Sequence, residues 1–405
     1  MAAEMGMAQH ARHHDQVLRE RLARTRTLIV GGPRHVGKTA ACSALSPKFL
    51  DWNNLASRLV ILEGPEAIIK HLGLERSRER EVTVVIDNLH GSRNWKGLLR
   101  ALNTHFGATR YGARLRLVVT TLDVPRGPGS GLPVSSHILR LHPWSVGECV
   151  RTAPADSPVK APALISDVDW AALQEHGGFP EPFAKRDPRF TRRWRVKRQQ
   201  ELLDSDLLRF AAVRDPAIVQ KLALLLAERS ATHLIYSDLS RRLGVSVDTV
   251  RRWMDLLVEL QYGFRVHPWF TRVPKALRKE PQWFLRDWSG VTDTKARDRT
   301  FVACHLLKAV QGWTDLGFGQ FELRYVRDKL KREVDFLVLR ERRPWFLVAV
   351  AHDAALNPAL RYFQTCTRAP HAFHVVLNGQ FSPTDCFEQA GPVVVSARTL
   401  LSQLL

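Results

Sequence analysis

The residues from Gly32 to Thr39 carry the clearest chemistry in the sequence. They read Gly-Pro-Arg-His-Val-Gly-Lys-Thr, which has the spacing of a phosphate-binding loop. In such a loop, backbone N–H groups surround phosphate oxygens, the lysine adds positive charge and the hydroxyl ligates Mg²⁺. We therefore predict that phosphates and Mg²⁺ bind along Gly32, Pro33, Arg34, His35, Val36, Gly37, Lys38, Thr39 and Ala40.

Asp87 closes the apolar run 82–86, where a carboxylate would complete the Mg²⁺ shell beside Thr39. The next residue, Asn88, can orient a water molecule but does not accept a proton at neutral pH. The sequence thus predicts nucleotide binding with slow hydrolysis. Thr120 ends another apolar run and is either a polar sensor of the γ-phosphate or a β-branched strand residue.

A second acidic pattern lies near the end of the chain, where Glu333 and Asp335 alternate along an apolar run. A nuclease of the two-carboxylate type needs a further acid and a lysine on the next strand. Ala349 and Ala351 stand at those positions, so we expect no cleavage from this part of the chain. His10, His13 and His14 are interpreted as a solvated tail rather than as metal ligands.

Residues 237–260 have the pattern of a helix-turn-helix, with Ser237 and Ser246 predicted as N-caps and Gly244 in the turn. Residues near the start of the second helix contact DNA in such motifs. The candidates are Thr249, Arg251 and Arg252, with residues 262–266 as a wing. The alternative is an interaction module between domains.

The run 185–198 holds eight basic residues interleaved with Phe190 and Trp194. This pattern suits contact with a nucleic-acid backbone together with base stacking, and it also suits a solvated amphipathic helix. The candidates for nucleic-acid contact here are Arg192, Arg193 and Arg195. A formal net charge of +20 favours a polyanionic partner.

Apolar runs and helical patterns alternate in the first half of the chain and predict an α/β fold with a parallel sheet covered on both faces. The predicted strands are 27–30, 49–52, 82–86, 116–120 and 138–141, and the predicted helices between them are 38–45, 66–74 and 95–106. Helices predominate after residue 200. Strands return at 322–326, 333–339, 346–350 and 374–377.

The composition is that of a folded protein: 45% of the 405 residues are hydrophobic and 25% are charged, which excludes global disorder and a fibre. No apolar run approaches 18 residues and no signal segment is recognisable, so we expect a cytoplasmic protein without a membrane partner. The five cysteines have no metal-binding or disulfide spacing.

With these motifs, the chain resembles a family of AAA-type, STAND-like predicted ATPases. Their C-terminal domain of unknown function combines a winged helix with a degenerate PD-(D/E)XK nuclease-like fold. The resemblance rests on residues 31–39, 49–52, 84–87, 141–145, 177–182, 237–260 and 331–336.

The resemblance implies ATP and Mg²⁺ as cofactors and a proline, Pro180, that contacts the adenine base from a helical lid. The residues that follow the fourth strand are Thr121 and Leu122 rather than Gly-Ser, and Val134 and Ser135 replace an expected Gly-Arg. The implied division of the chain is a tail or helix (1–26), a P-loop core (27–150), a lid with a basic segment (151–204), a winged helix (205–275) and a nuclease-like domain (276–405).

Two functions remain open at this stage. The first is an ATP-gated regulatory switch that engages DNA, and the second is a protein-interaction scaffold with structural ATP and no DNA binding. A nuclease is disfavoured by Ala349 and Ala351. The sequence also leaves open a protein partner and an oligomer.

Overall fold

The computed structural model of the protein describes residues 12–77, 79, 81–108, 114–122, 131–133, 136–207, 215–270 and 280–405. Within these ranges the strands form a five-stranded sheet early in the chain and an eight-stranded sheet later. Helices cover both sheets and connect them.

The first sheet is parallel throughout, in the order β2-β3-β4-β1-β5. Because β1 lies between β4 and β5, the loop that follows it opens from an interior strand of the sheet. The strands are β1 (Thr27–Gly31), β2 (Phe49–Asp51), β3 (Val82–Asp87), β4 (Leu115–Thr121) and β5 (Ser136–Arg140).

Helices cover both faces of this sheet, as its nearly continuous apolar strands require. Ile29 and Val119 pack on one face with Ile61, while Leu28 and Val30 pack on the other face. The covering helices are α1 (His13–Arg24), α2 (Lys38–Ser43), α3 (Leu55–Glu63), α4 (Pro65–His71) and α5 (Trp95–Ala108). The predicted parallel α/β sheet is confirmed.

A helical segment follows the sheet and returns towards its edge. It consists of α6 (Val146–Val150), α7 (Asp167–His176), α8 (Pro180–Lys185) and α9 (Pro188–Gln200), and α9 continues into a π-helical stretch at Glu201–Asp206. Asp187 caps α9 by accepting the N–H of Phe190.

The next segment combines three helices with a small antiparallel sheet in the order β6-β8-β7. Its elements are α10 (Pro216–Ala227), β6 (Thr232–His233), α11 (Tyr236–Leu243), α12 (Val247–Glu259), β7 (Gly263–Pro268) and β8 (Gln282–Leu285). Strand β8 pairs with both other strands of this small sheet.

The last segment is built on a long buried helix and five strands. Strands β9, β10 and β11 are antiparallel neighbours, whereas β12 and β13 continue the sheet in parallel. A short parallel pairing of β7 with β9 joins it to the small sheet. The elements are α13 (Thr294–Asp315), β9 (Phe321–Arg327), β10 (Glu333–Arg340), β11 (Arg343–Ala351), α14 (Pro358–Thr367), β12 (His371–Val376), β13 (Pro392–Ser396) and α15 (Ala397–Ser402).

Several details differ from the sequence predictions. Helices α3 and α13 and strands β8 and β13 are among the elements that were not predicted. Ser246 caps α12 as expected, but Ser237 lies inside α11, whose N-cap is Ile235, because the helix starts two residues earlier than predicted. His13 and His14 are not solvated: they pack near Glu148, where burial lowers their pKa values to about 4 and about 3. His10 lies outside the described residues.

The described residues include no helix that is both long and apolar enough to span a membrane. The five cysteines are free thiols, and burial raises the pKa of Cys42, Cys304 and Cys386 to about 12.

Candidate nucleotide-binding site

The phosphate loop connects the interior strand β1 to α2, and its glycines are required by local geometry. Gly32 has φ +149°, and a Cβ there would lie 2.3 Å from the carbonyl oxygen of Leu141. Gly37 adopts φ +99° directly before the first residue of α2. Residues with a side chain rarely adopt these backbone conformations, so the tight turns of the loop require glycine at both positions.

Lys38 lies inside this loop. Its side chain is buried, and its ammonium donates hydrogen bonds to the carbonyl oxygens of Gly32 at 2.7 Å and Pro33 at 2.8 Å. These two carbonyl oxygens hold the positively charged ammonium of Lys38 inside the loop. Phosphate oxygens would be stronger acceptors for the same ammonium because they carry negative charge.

Asp87 lies at the end of β3, fully buried, with hydroxyl donors on two sides. Thr39 donates to its Oδ2 at 2.8 Å, and the Thr120 hydroxyl donates to its Oδ1. A hydroxyl and a carboxylate are hard oxygen ligands of the kind Mg²⁺ takes together with substrate phosphates and waters. The donor set formed by Thr39 and Asp87 therefore fits Mg²⁺, and the described residues include no cluster of three or more His, Cys, Asp or Glu that would suit another metal.

Asn88 adopts a left-handed conformation with φ +56°, and its backbone N–H donates to Thr120 Oγ1 at 2.8 Å. Its side-chain amide donates to Asp87 Oδ2 at 2.9 Å and to Asp51 Oδ1 at 3.0 Å. The sequence analysis did not select Asp51 as a site residue. The one available signal was its position at the end of a short apolar strand in a parallel sheet.

A cavity of about 670 Å³ opens between the phosphate loop and the helical segment. Gly37 and Ala40 line it from α2 and its loop, and Pro180 and Phe183 line it from α8. The structure thus places Pro180 across the cavity from the phosphate loop. The aromatic wall consists of Trp144 and Phe183, whose rings stack with centroids 5.6 Å apart.

Arg12 forms a further side of this cavity, with its guanidinium 4.8 Å from the centroid of the Trp144 ring. It donates to the carbonyl oxygen of Val36 at 3.0 Å and to both carboxylate oxygens of Glu148 at 2.8 Å. Lys308 of α13 also donates to Glu148. Burial would raise the pKa of Glu148, but Arg12 and Lys308 hold it well below its usual range. Burial in turn lowers the pKa of Lys308 to about 8.

The phosphate loop also touches α9 directly. His35 lies 2.6 Å from Glu201 through its Nε2 atom, and its ring makes an edge contact with Trp194. Arg198 is buried on this side of α9, with its guanidinium 4.1 Å from the centroid of Phe179. A movement of the phosphate loop would therefore act directly on the helical segment, because His35 of the loop contacts both Trp194 and Glu201.

The six nucleic-acid candidates occupy two helices and differ in their surroundings. Arg192 and Arg193 are exposed on α9, whereas Arg195 is half-buried and donates to the carbonyl oxygen of Ser289. Arg198 of the same basic run is buried, because an amphipathic helix turns one side of a continuous basic run inward.

On α12, Arg251 lies 3.3 Å from Asp248, and Arg252 donates to Thr249 at 3.2 Å. All three candidates of this helix are thus engaged with residues of its own first turns. The predicted wing falls mainly on β7, and residues 271–279 beyond it lie outside the described residues, as do Val134 and Ser135.

The acidic pair on β10 faces cations. Asp335 lies 2.8 Å from Arg299 Nε and accepts the N–H of Val350 at 2.8 Å, and burial raises the pKa of Asp335. Glu333 accepts from Gln282 at 2.7 Å and lies 3.8 Å from Arg299. The Arg299 guanidinium therefore lies between the carboxylates that a metal would need.

Comparison with known proteins gives matches to parts of the chain. Residues 168–292 match a domain of unknown function (DUF8612). The chain is 29% identical over 145 residues to two uncharacterized mycobacterial proteins, Rv2008c of Mycobacterium tuberculosis and Mb2031c of Mycobacterium bovis. Each match covers 33% of this chain, and the chain spans about a third of the length of these curated relatives.

Three archaeal structures are similar to larger parts of the chain. The Walker-type ATPase PABY2304 of Pyrococcus abyssi has a TM-score of 0.42 and 13% identity, with 71% of this chain and 97% of that chain covered. The Aeropyrum pernix Orc1 protein in complex with DNA has a TM-score of 0.33 and 14% identity, with 74% of this chain and 92% of that chain covered. The Pyrococcus horikoshii STAND protein PH0952 has a TM-score of 0.22 and 12% identity, with 72% of this chain and 46% of that chain covered.

Identities and TM-scores this low establish neither the activity nor the partners of this chain. The chain's own geometry is more specific: the five-stranded parallel sheet, with a Gly-rich loop after the interior strand β1 and an acidic residue at the end of β3, matches a P-loop ATPase fold.

Proposed function

We propose that this protein binds ATP with Mg²⁺ and acts as a nucleotide-gated regulatory ATPase with slow hydrolysis. The observation that supports this most directly is the cluster of Lys38, Thr39 and Asp87 at the phosphate loop, next to a cavity of about 670 Å³. The loop N–H groups and Lys38 would bind the phosphates, and Thr39 and Asp87 would hold Mg²⁺.

The base would lie in the cavity, between the start of α2 and Pro180. A purine ring is flat and largely apolar on its faces, which suits walls formed by Trp144, Phe183 and Pro180. The lid role of Pro180 is thus supported by its position in the same cavity as Gly37 and Ala40.

Slow turnover is expected because the position after Asp87 holds Asn88, which cannot itself take a proton from water at neutral pH. The sensor role of Thr120 is supported by its position, because its hydroxyl donates to Asp87 and accepts the backbone N–H of Asn88. A shift of Asp87 on Mg²⁺ binding would move both partners of Thr120.

The gating would pass through α9. His35 links the phosphate loop to Glu201, and Arg195 links α9 to Ser289 beyond the small sheet. Trp288 in turn donates to the carbonyl oxygen of Leu173 in α7 at 2.6 Å. The lid helices α7 to α9 are therefore bonded both to the nucleotide loop and to the segment that follows.

We assign that segment, α10 to β8, to a winged helix, since its order of helix, short strand, two helices and two strands is the one expected for that fold.

DNA binding is the second candidate function, and the exposed Arg192 and Arg193 favour it. The pairing of Arg251 with Asp248 and of Arg265 with Asp255 favours the alternative of a protein-interaction scaffold.

The last segment is proposed to be a nuclease-like fold without cleavage activity, with Arg299 between its acidic residues.

The test of nucleotide binding is the substitution Lys38→Ala. A bound ligand raises the melting temperature in proportion to the logarithm of its concentration over Kd. We expect ATP with Mg²⁺ to raise the melting temperature of the wild type, and Lys38→Ala to abolish this shift because the phosphates lose their close positive charge. Lys70→Ala, an exposed lysine of α4, is the matched control and should keep the shift. An equal shift in Lys38→Ala would contradict the assignment.

A further inference from the structure

Strand β2 ends in a carboxylate that the phosphate-loop motif does not include. Asp51 is the last residue of β2 and stands level with Asp87 in the parallel pairing of β2 with β3. The backbone N–H of Trp52 donates to the carbonyl oxygen of Asp87 at 3.0 Å, which maintains this register to the end of the strands. Asp51 therefore lies at the sheet edge next to the proposed Mg²⁺ ligand.

Asn88 connects the two carboxylates. Its side-chain nitrogen donates to Asp87 at 2.9 Å and to Asp51 at 3.0 Å, so both oxygens lie within hydrogen-bond distance of one atom. In AAA-type ATPases a glutamate stands at the position of Asn88 and activates the attacking water. Here Asn88 has no carboxylate of its own, and the carboxylate that it contacts besides Asp87 is that of Asp51 at the end of the neighbouring strand β2.

The hydrogen bonds of Asp51 leave one oxygen open. Asn88 and the backbone N–H of Asn53 both donate to Oδ1, each at 3.0 Å. Among the described residues, no hydrogen bond reaches Oδ2, and the side chain is only half-buried, so solvent has access to it. A carboxylate fixed through one oxygen and open at the other meets one requirement of a general base, an oriented oxygen that can accept a proton from water.

We propose that Asp51 is the general base of ATP hydrolysis and that Asn88 is its positioning residue. The proposal rests on the proposed function, since it requires ATP at the phosphate loop. Water forms a bond to the γ-phosphorus and transfers its proton to Asp51. The bond from the γ-phosphorus to the β,γ-bridging oxygen breaks, and its electron pair leaves with ADP. Asp51 then releases the proton to solvent.

The experiment compares Asp51→Asn and Asp51→Ser with the wild type. Both replacements keep an oxygen that can accept the Asn53 N–H and preserve the turn, but neither is a base. ATP affinity and phosphate release in a single turnover are measured on the same preparations. Glu63→Gln, an exposed carboxylate at the end of α3, is the matched control and should hydrolyse ATP like the wild type.

We expect both Asp51 variants to bind ATP like the wild type and to release phosphate about 10²- to 10⁴-fold more slowly, the usual contribution of general-base catalysis. If either variant binds ATP and hydrolyses it at the wild-type rate, Asp51 is not the base. If the wild type binds ATP without measurable hydrolysis, the inference fails while the nucleotide assignment stands. If the wild type does not bind ATP, the proposed function itself fails.

Discussion

At the scale of single residues, the buried histidines decide how stability responds to acid. His305 shares hydrogen bonds with two backbone groups: its Nδ1 lies 2.8 Å from the carbonyl oxygen of Phe301, and the N–H of Val146 donates to its Nε2 at 3.1 Å. This arrangement requires a neutral ring with its proton on Nδ1. Burial lowers the pKa of His305 to about 3.

The first prediction at this scale is a loss of stability on acidification. The unfolded chain binds a proton at His305 below about pH 6.5, whereas the folded protein does not until about pH 3, so stability falls as the pH falls through this window. His305 alone should contribute roughly 2 kcal/mol of loss between pH 7 and pH 5. His13 and His14 act in the same direction because burial also lowers their pKa values.

The measurement is the midpoint of urea unfolding at pH 7 and at pH 5. His305→Gln keeps a donor and an acceptor without titrating, so the difference between the two midpoints should shrink. His71→Gln, at the exposed end of α4, should behave like the wild type. A His305 variant with an undiminished pH dependence would show that other groups are responsible.

At the scale of elements, the exposed arginines of α9 and α12 have different freedom to contact phosphates. Arg192 and Arg193 are exposed on α9, and the described residues provide no ion pair for either. Arg251 already lies beside Asp248, so a phosphate would have to compete with a carboxylate. If the protein binds DNA, α9 should contribute more than α12.

We therefore expect the double variant Arg192→Ala/Arg193→Ala to reduce the slope of log affinity against log salt by about two, one per lost phosphate contact. Arg251→Ala/Arg252→Ala should reduce it less. Fluorescence anisotropy with a mixed-sequence duplex between about 50 and 200 mM salt measures both. The absence of salt-dependent binding by the wild type would support the interaction scaffold instead.

At the scale of the whole molecule, largely buried charge pairs connect the five-stranded sheet to the C-terminal segment. Arg140 at the end of β5 forms a two-pronged pair with Asp315 at the end of α13, with nitrogen-to-oxygen distances of 2.9 and 3.0 Å. Glu148 joins Arg12, which lines the nucleotide cavity, to Lys308 of α13. The cavity and the long helix thus belong to one bonded network.

Asp315→Asn should destabilise the protein by about 3–5 kcal/mol, because the largely buried guanidinium of Arg140 would lose the carboxylate charge with which it pairs. The double variant Arg140→Met/Asp315→Leu removes both charges and should lose less. Asp156→Asn, which breaks an exposed pair with Lys160, is the control and should leave the unfolding midpoint nearly unchanged. Equal losses in the single and double variants would mean that packing, and not charge, explains the effect.

Most residues of the proposed phosphate-binding site could be selected from the sequence, because they are close together in the chain. Gly32, Gly37, Lys38 and Thr39 lie within eight residues, and each residue type has a local conformational or chemical reason. Asp87 was predictable from its position at the end of an apolar strand. The parallel sheet followed from apolar runs that alternate with helices.

The tertiary structure alone decided which distant residues meet. Asp51 and Asn88 are 37 positions apart, and Arg12 and Glu148 are 136 positions apart. Strand order brings β2 beside β3, and local patterns predict strands without predicting their order. The inward side of α9 was hidden for a related reason: a run of basic residues shows no polarity contrast, so only packing reveals that Arg198 is buried while Arg192 is exposed.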